Sequence, residues 1–181
     1  MKHKVLAYLL SLAAITACGD SALDTTFAKQ SDKIDTYVSK QLESHPEYRV
    51  VYDGGVVRLV VAEGEGAEAA KGDPVTFYYA GYNFNNGTIA PSTLFATNDP
   101  DIAASARWNV SDSTLFRKVT VTLGKDPLVS GLQTGLTGVR TGEDCYIFFT
   151  GKNGFGKHQL GTIPANAAIC YHIREEETEL E

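Results

Sequence analysis

The chain has 181 residues, 43% of them apolar and 10% aromatic, enough for one globular domain plus an appendage and too rich in core-forming side chains for a disordered polymer. Its formal charge is −6 and its sequence pI about 5.2, which excludes a basic footprint, so no nucleic-acid partner is expected. There is no internal repeat or low-complexity segment, and the acidic end from Glu175 to Glu181 (177–181 beyond the domain) reads as a frayed, solvated tail.

Met1-Lys2-His3-Lys4 is a short basic segment, and Val5 to Ile15 is an apolar run too short to cross a bilayer by itself. Small residues then precede a cysteine in Ile15-Thr16-Ala17-Cys18-Gly19. This pattern resembles a bacterial lipoprotein signal, which implies removal of residues 1–17 and lipidation of Cys18 as the first mature residue. The alternative is an ordinary secretory signal in which Cys18 is incidental. Each buried CH₂ contributes about 0.8 kcal/mol, so several acyl chains on Cys18 would anchor the protein to the membrane almost permanently. Cleavage would remove Lys2 and Lys4 and deepen the acidic balance, leaving the lipid as the sole membrane attraction. The expected location is the bacterial cell envelope, on the periplasmic side or the cell surface.

Gly19 to Gln30 is polar and reads as a tether within an 18–46 appendage. Ser31 to Ser44 places Ile34, Tyr37, Val38 and Leu42 on one helical face, and His45-Pro46 ends the helix. That face serves either to pack on its own domain or to form a homodimer through the 31–44 helix. The domain itself spans 47–176. Tyr48–Tyr52 and Val56–Val61 flank Asp53-Gly54-Gly55, a hairpin signal, and Gly64-Glu65-Gly66 closes the second strand. Val75 to Tyr82 is the next strand. An insertion over 83–118 follows, with a turn at Asn85-Asn86-Gly87 and a polar stretch bearing Trp108; it is either a functional flap on the pocket side of the sheet or a solvated decoration.

Val119 to Leu123 alternates as a strand closed by Gly124. Pro127 enters a short helix with Leu128, Val129, Leu132 and Leu136 on one face, stopped by Gly138. Cys145 to Phe149 is a strand, Gly151, Gly154, Phe155 and Gly156 make a loop, and Ile163-Pro164-Ala165-Asn166-Ala167 turns into a last strand, Ala168 to Ile173. Alternation turns Cys145 inward with Ile147 and Phe149, and Cys170 and His172 outward, so the two cysteines lie on opposite faces and cannot form a disulfide. His45, His158 and His172 lack metal-ligand spacing, and no nucleophile elbow is present.

The order strand, LGK, short helix with GLxxGLxGxxxGE, strand, GFG, IPxNA, strand resembles the FKBP-type peptidyl-prolyl isomerases, as does the V-x-x-x-Y-x-G pattern of Val75, Tyr79 and Gly81. The resemblance implies an α+β fold, an antiparallel half-barrel sheet wrapped on a short helix, and rotation of X-Pro amide bonds without cofactor or metal. It places Tyr79 and Phe95 on the pocket wall, Leu132 as its floor, Phe155 as the loop aromatic and Tyr171 on the last strand. Val129 would offer its N–H to the substrate carbonyl, while Val119, Leu128, Thr162 and Ile163 would contact substrate. Ala96 stands where the family carries an aspartate, and Phe155 where it often carries tyrosine, so macrolide inhibition should be weak and activity reduced rather than abolished.

The prolyl barrier of about 18–20 kcal/mol comes from amide conjugation, and a twisted amide tolerates a dry pocket better than a planar one. The expected substrates are proline-containing unfolded or exported polypeptides. A non-catalytic binding or chaperone module that recognises an envelope protein through 83–118 is the other reading.

Overall fold

The computed structural model describes residues 17–177, with side chains over 21–175. The proposed signal segment and the end of the chain therefore lie outside the described residues, apart from the backbone of Ala17, Cys18 and Glu177. A long helix α1 (Ala17–Ser44) leads into a hairpin of β1 (Arg49–Asp53) and β2 (Val56–Ala62). Gly54 and Gly55 have φ of 53° and 79°, the pair of positive values that a two-residue turn matched to strand twist requires. Strand β3 (Pro74–Asn83) follows, then β4 (Leu94–Thr97), a short helix α2 (Pro100–Ser105) and β5 (Val119–Thr122). Helix α3 (Ser130–Leu136), β6 (Asp144–Phe149) and β7 (Ile169–Glu177) complete the chain.

The seven strands form one antiparallel sheet in the order β1-β2-β6-β7-β3-β4, with β5 paired to β3. Strand β3 changes neighbour along its length: Pro74–Phe77 pair with β5, and Ala80–Tyr82 with β4. Tyr79 sits where one partner stops and the next begins.

Helix α3 covers one face of the sheet. A Cβ on Gly131 would lie 2.2 Å from Phe149 Cγ, and one on Gly135 2.2 Å from Ile147 Cγ2. The i, i+4 glycine pair therefore lets the helix backbone rest directly on β6. Val75, Phe77, Leu123, Leu136, Val139, Ile147, Phe149 and Ile173 form the core beneath it.

Helix α1 covers the other face. Ile34 and Val38 are buried there with Val57, Leu59, Phe84 and Phe148, and Tyr37 meets the Phe84 ring edge-on at 5.4 Å. The apolar stripe of 31–44 is thus packed on its own domain. Cys170 belongs to this second cluster and Cys145 to the first, so the two free thiols do lie on opposite faces. Cys170 is nonetheless fully buried, because α1 covers the face that alternation alone leaves in solvent.

Two expectations need correction. Residues 19–30 are helix rather than tether. Gln30, buried at 7% exposure, accepts from Gly151 N–H at 2.9 Å and donates to the Asn166 carbonyl at 2.8 Å, so this half of α1 is docked. The acidic end is not wholly a tail: Thr76 pairs with Glu177 and Phe77 with Glu175, and the Glu175 carboxylate accepts from Gly142 N–H at 2.8 Å. The insertion, open in the sequence between a functional flap and a solvated decoration, is folded: it supplies an edge strand with Leu94 packed toward α1 and Phe95 toward α3.

Candidate active site

Between α3 and the concave face of the sheet lies an open cavity of about 380 Å³. Its back wall is strand β3, through Phe77 and Tyr79, with Tyr171 from the neighbouring β7. Phe95 and Ala96 of β4 enter from one side, and Val119 and Val121 of β5 from the other. Leu132 rises from α3 as the floor, Leu128 stands just before the helix, and Phe155, Leu160 and Ile163 close the rim from the last long loop.

The rings meet at near-right angles, the arrangement their quadrupoles favour. Phe95 lies 5.9 Å from Tyr171 at 85° and 6.2 Å from Phe155 at 90°, and Tyr79 lies 6.1 Å from Tyr171 at 63°. Gly81, paired across the strands with Tyr171, makes room for this cluster: a Cβ there would be 2.6 Å from Phe95 Cζ and 3.0 Å from Tyr171 Cε1. Burial raises the phenol pKa of Tyr79, and that of Tyr171 is raised by burial and by the neighbouring Tyr79.

The gap between β4 and β5 is held by Asn98, buried at 4% exposure. Its side-chain oxygen accepts from Tyr79 N–H at 2.6 Å, and its amide nitrogen donates to the carbonyls of Arg117 at 2.7 Å and Phe77 at 3.3 Å. Thr97 donates its hydroxyl to the Tyr79 carbonyl at 2.6 Å. Tyr79 pairs with Ile173 of β7 on one side and, on the other, where neither β4 nor β5 reaches it, is fixed by Asn98 and Thr97. Behind the floor, Arg58 donates to the carbonyls of Gly135 and Thr137 at 3.0 Å each and of Gly138 at 2.9 Å, capping the C-terminus of α3. Its Nε is 3.3 Å from the fully buried Glu143, whose carboxyl is pushed up by burial and drawn back in part by Arg58.

Of the residues expected at the site, Tyr79, Phe95, Val119, Leu128, Leu132, Phe155, Ile163 and Tyr171 all line the cavity. Val129 is the N-cap of α3 and packs on the same core without lining the cavity. Its N–H has no hydrogen-bond partner among the described residues. Thr162 is exposed and stands outside the lining, because Ile163 takes the inward position next to it. Phe77, Ala96, Val121, Leu160 and the stitching residue Asn98 were not among the expected functional residues; Leu160 sits in an aperiodic loop, and Asn98 shows its role only through non-local backbone groups. Among the described residues no group of three or more His, Cys, Asp or Glu side chains could hold a metal ion.

The site is an aromatic-walled apolar cleft with room for a proline ring, and it holds no Ser, Cys, Lys, His or carboxylate in its walls. That is what rotating a prolyl amide needs and what bond-breaking chemistry does not. Comparison with known proteins agrees. A family model for the FKBP-type peptidyl-prolyl cis-trans isomerase matches residues 65–174. An FK506-binding protein of Neisseria meningitidis serogroup B is 28% identical over 123 residues, covering 66% of this chain and 93% of that protein. FK506-binding protein 1 of Aspergillus oryzae is 24% identical over 123 residues, covering 66% and 94%. FkpA from Escherichia coli superposes with a TM-score of 0.56 at 17% identity, covering 99% of this chain and 73% of that one. The N-terminal domain of FKBP42 from Arabidopsis thaliana gives 0.55 at 15%, covering 73% and 93%. At those identities the solved structures speak for the fold alone. The chain belongs to the FKBP-type peptidyl-prolyl cis-trans isomerase family and is a peptidyl-prolyl isomerase.

Proposed function

We propose that this isomerase acts on proline-containing exported polypeptides at the bacterial cell envelope, held to the membrane by lipid on Cys18. The observation that carries the catalytic half is the apolar cavity bounded by Tyr79, Phe95, Leu132, Phe155 and Tyr171. In this reading the proline ring enters against Leu132, and the unpartnered Val129 N–H receives a substrate carbonyl while the other side of the amide turns. Val119, Leu128 and Ile163 contact the flanking chain. Ala96 and Phe155 offer no polar group to a macrolide, so FK506 would bind weakly.

The envelope half is supported by the Ile15–Cys18 pattern and the basic, then apolar, segment before it. No helix among the described residues is long and apolar enough to cross a membrane. A protease-coupled assay on a prolyl tetrapeptide tests the catalytic claim, and absence of acceleration at micromolar protein would defeat it. Partition of the full-length protein into detergent, compared with Cys18→Ala, tests the anchor.

A second reading has one observation in its favour. Trp108 and Val110 are each 38% exposed and Leu115 66% exposed, all within the 83–118 insertion. We infer a polypeptide-binding surface there, so that Trp108→Ser with Leu115→Ser should weaken client binding while leaving turnover of a short peptide intact. Homodimerisation through 31–44 would have to use the face of α1 turned away from the sheet, which light scattering on the mature protein would detect.

A further inference from the structure

Every side chain lining the cavity other than Tyr79 and Tyr171 is a hydrocarbon. The two phenol hydroxyls are thus the only side-chain hydrogen-bond donors in its wall. Neither hydroxyl has a hydrogen-bond partner among the described residues. The Tyr171 oxygen is also not sealed in the core: the buried side-chain oxygens without a partner among the described residues belong to Glu143 alone. Tyr171 is only 7% exposed and is one of the residues lining the cavity.

Its ring cannot swing. Tyr79, Phe95 and Phe149 pack around it at 6.1, 5.9 and 6.2 Å, and the Gly81 backbone lies under one edge. A donor held rigidly in an apolar wall with nothing to donate to is preorganised for an acceptor that arrives with the ligand.

The chemistry of amide rotation says which acceptor changes most. In the planar amide the nitrogen lone pair is delocalised into the carbonyl and accepts no hydrogen bond. As the amide twists, that pair localises, the nitrogen becomes pyramidal, and the carbonyl oxygen loses negative charge. A hydroxyl aimed at the ring nitrogen therefore interacts with the twisted state and hardly at all with either planar isomer, which is the condition for raising turnover rather than ground-state affinity. We propose that the Tyr171 hydroxyl is a catalytic hydrogen-bond donor to the prolyl nitrogen as the amide leaves planarity. No proton is transferred and no bond is made. The proposal rests on the isomerase reading of this cavity and adds to it the polar contact that Ala96 and Phe155 do not provide. The shielding that raises the Tyr171 phenol pKa keeps the donor protonated across the neutral range.

The test is Tyr171→Phe, which removes one oxygen and keeps the ring. Three quantities are compared with the parent protein: kcat/KM on a prolyl tetrapeptide, Kd for the same peptide by NMR titration, and melting temperature. The expected result is a loss of about fivefold to tenfold in kcat/KM, carried by kcat, with Kd and melting temperature unchanged. Retained kcat/KM would overturn the proposal, and so would a Kd weakened in the same proportion as the rate, because the hydroxyl would then serve ground-state binding. If the parent protein itself fails to accelerate exchange, the isomerase reading falls together with the proposal, an outcome distinct from the first two.

Discussion

Replacing Gly131 by alanine tests how closely α3 is seated on the sheet. The added Cβ would fall 2.2, 2.4 and 2.6 Å from Cγ, Cδ1 and Cδ2 of Phe149. Carbon atoms rest at about 3.5–4.0 Å, so helix and ring must separate by roughly 1.3–1.8 Å. The ring cannot yield easily, since Cγ is its anchored end and Phe149 is fully buried. The movement therefore falls on α3 and carries Leu132, the cavity floor, with it. Alanine favours helix over glycine by about 0.5–1 kcal/mol, whereas overpacking a tight core costs about 1–3 kcal/mol. The clash should win, leaving a net loss of about 1–2 kcal/mol and a fall of several degrees in melting temperature. Urea denaturation and the peptide assay would both register it, stability falling together with kcat/KM. Gly131→Ala with Phe149→Leu should recover part of the loss, since the two sites share one contact. A single variant more stable than the parent protein would mean that α3 does not rest on β6 as described, and the placement of the floor would be wrong.

Three further outcomes follow. Arg58→Met removes the donor to three carbonyls at the C-terminal end of α3 and leaves the buried Glu143 with only the more distant Arg49, at 4.0 Å, which should cost about 3–5 kcal/mol, while Arg58→Met with Glu143→Leu should be milder; a single variant within about 1 kcal/mol of the parent protein in urea would refute the clamp. Gln30→Ala unpairs the Gly151 N–H and should destabilise by about 1–3 kcal/mol, read as faster hydrogen exchange at Gly151; unchanged exchange there would place the first half of α1 off the domain. Burial holds the Tyr82 phenol up at about 12 against 10.0 in the unfolded chain, so the neutral phenol favours the fold. Its contribution is complete below pH 10 and is lost as pH rises toward 12, by about 2–3 kcal/mol, and Tyr82→Phe should flatten that decline; an equal decline in both proteins would count against it.

Much of the fold was legible because its signals are local. The Asp53-Gly54-Gly55 turn sets the first hairpin, and alternation from Val119, Cys145 and Ile169 onward sets three strands. What was not legible depends on distant partners. Gln30 counts as polar in any periodic pattern, so the stripe of Phe27, Gln30, Ile34 and Val38 read as starting late, and the helix before Ser31 passed for tether. Glu175 and Glu177 resemble a solvated end until β3 is seen to need a neighbour at Phe77 and Thr76. The sequence leaves the insertion open between flap and decoration because its anchor, Asn98, bonds to backbone groups 19 and 21 residues away that no sequence pattern marks. At the site, Tyr79, Phe95, Leu132, Phe155 and Tyr171 line the cavity while Val129 and Thr162 do not, since Val129 is the N-cap of α3 and a single step along the chain at Ile163 reverses which side faces the cavity.

The most direct measurement is NMR exchange spectroscopy on a prolyl tetrapeptide with a catalytic amount of the mature protein, following peptide and protein signals together. The cis and trans peptide resonances should exchange faster in proportion to protein concentration. Shift changes in the protein should fall on Tyr79, Phe95, Leu132, Phe155 and Tyr171. Unaltered exchange, or acceleration with perturbations confined to other surfaces, would contradict the assignment of isomerisation to this cavity.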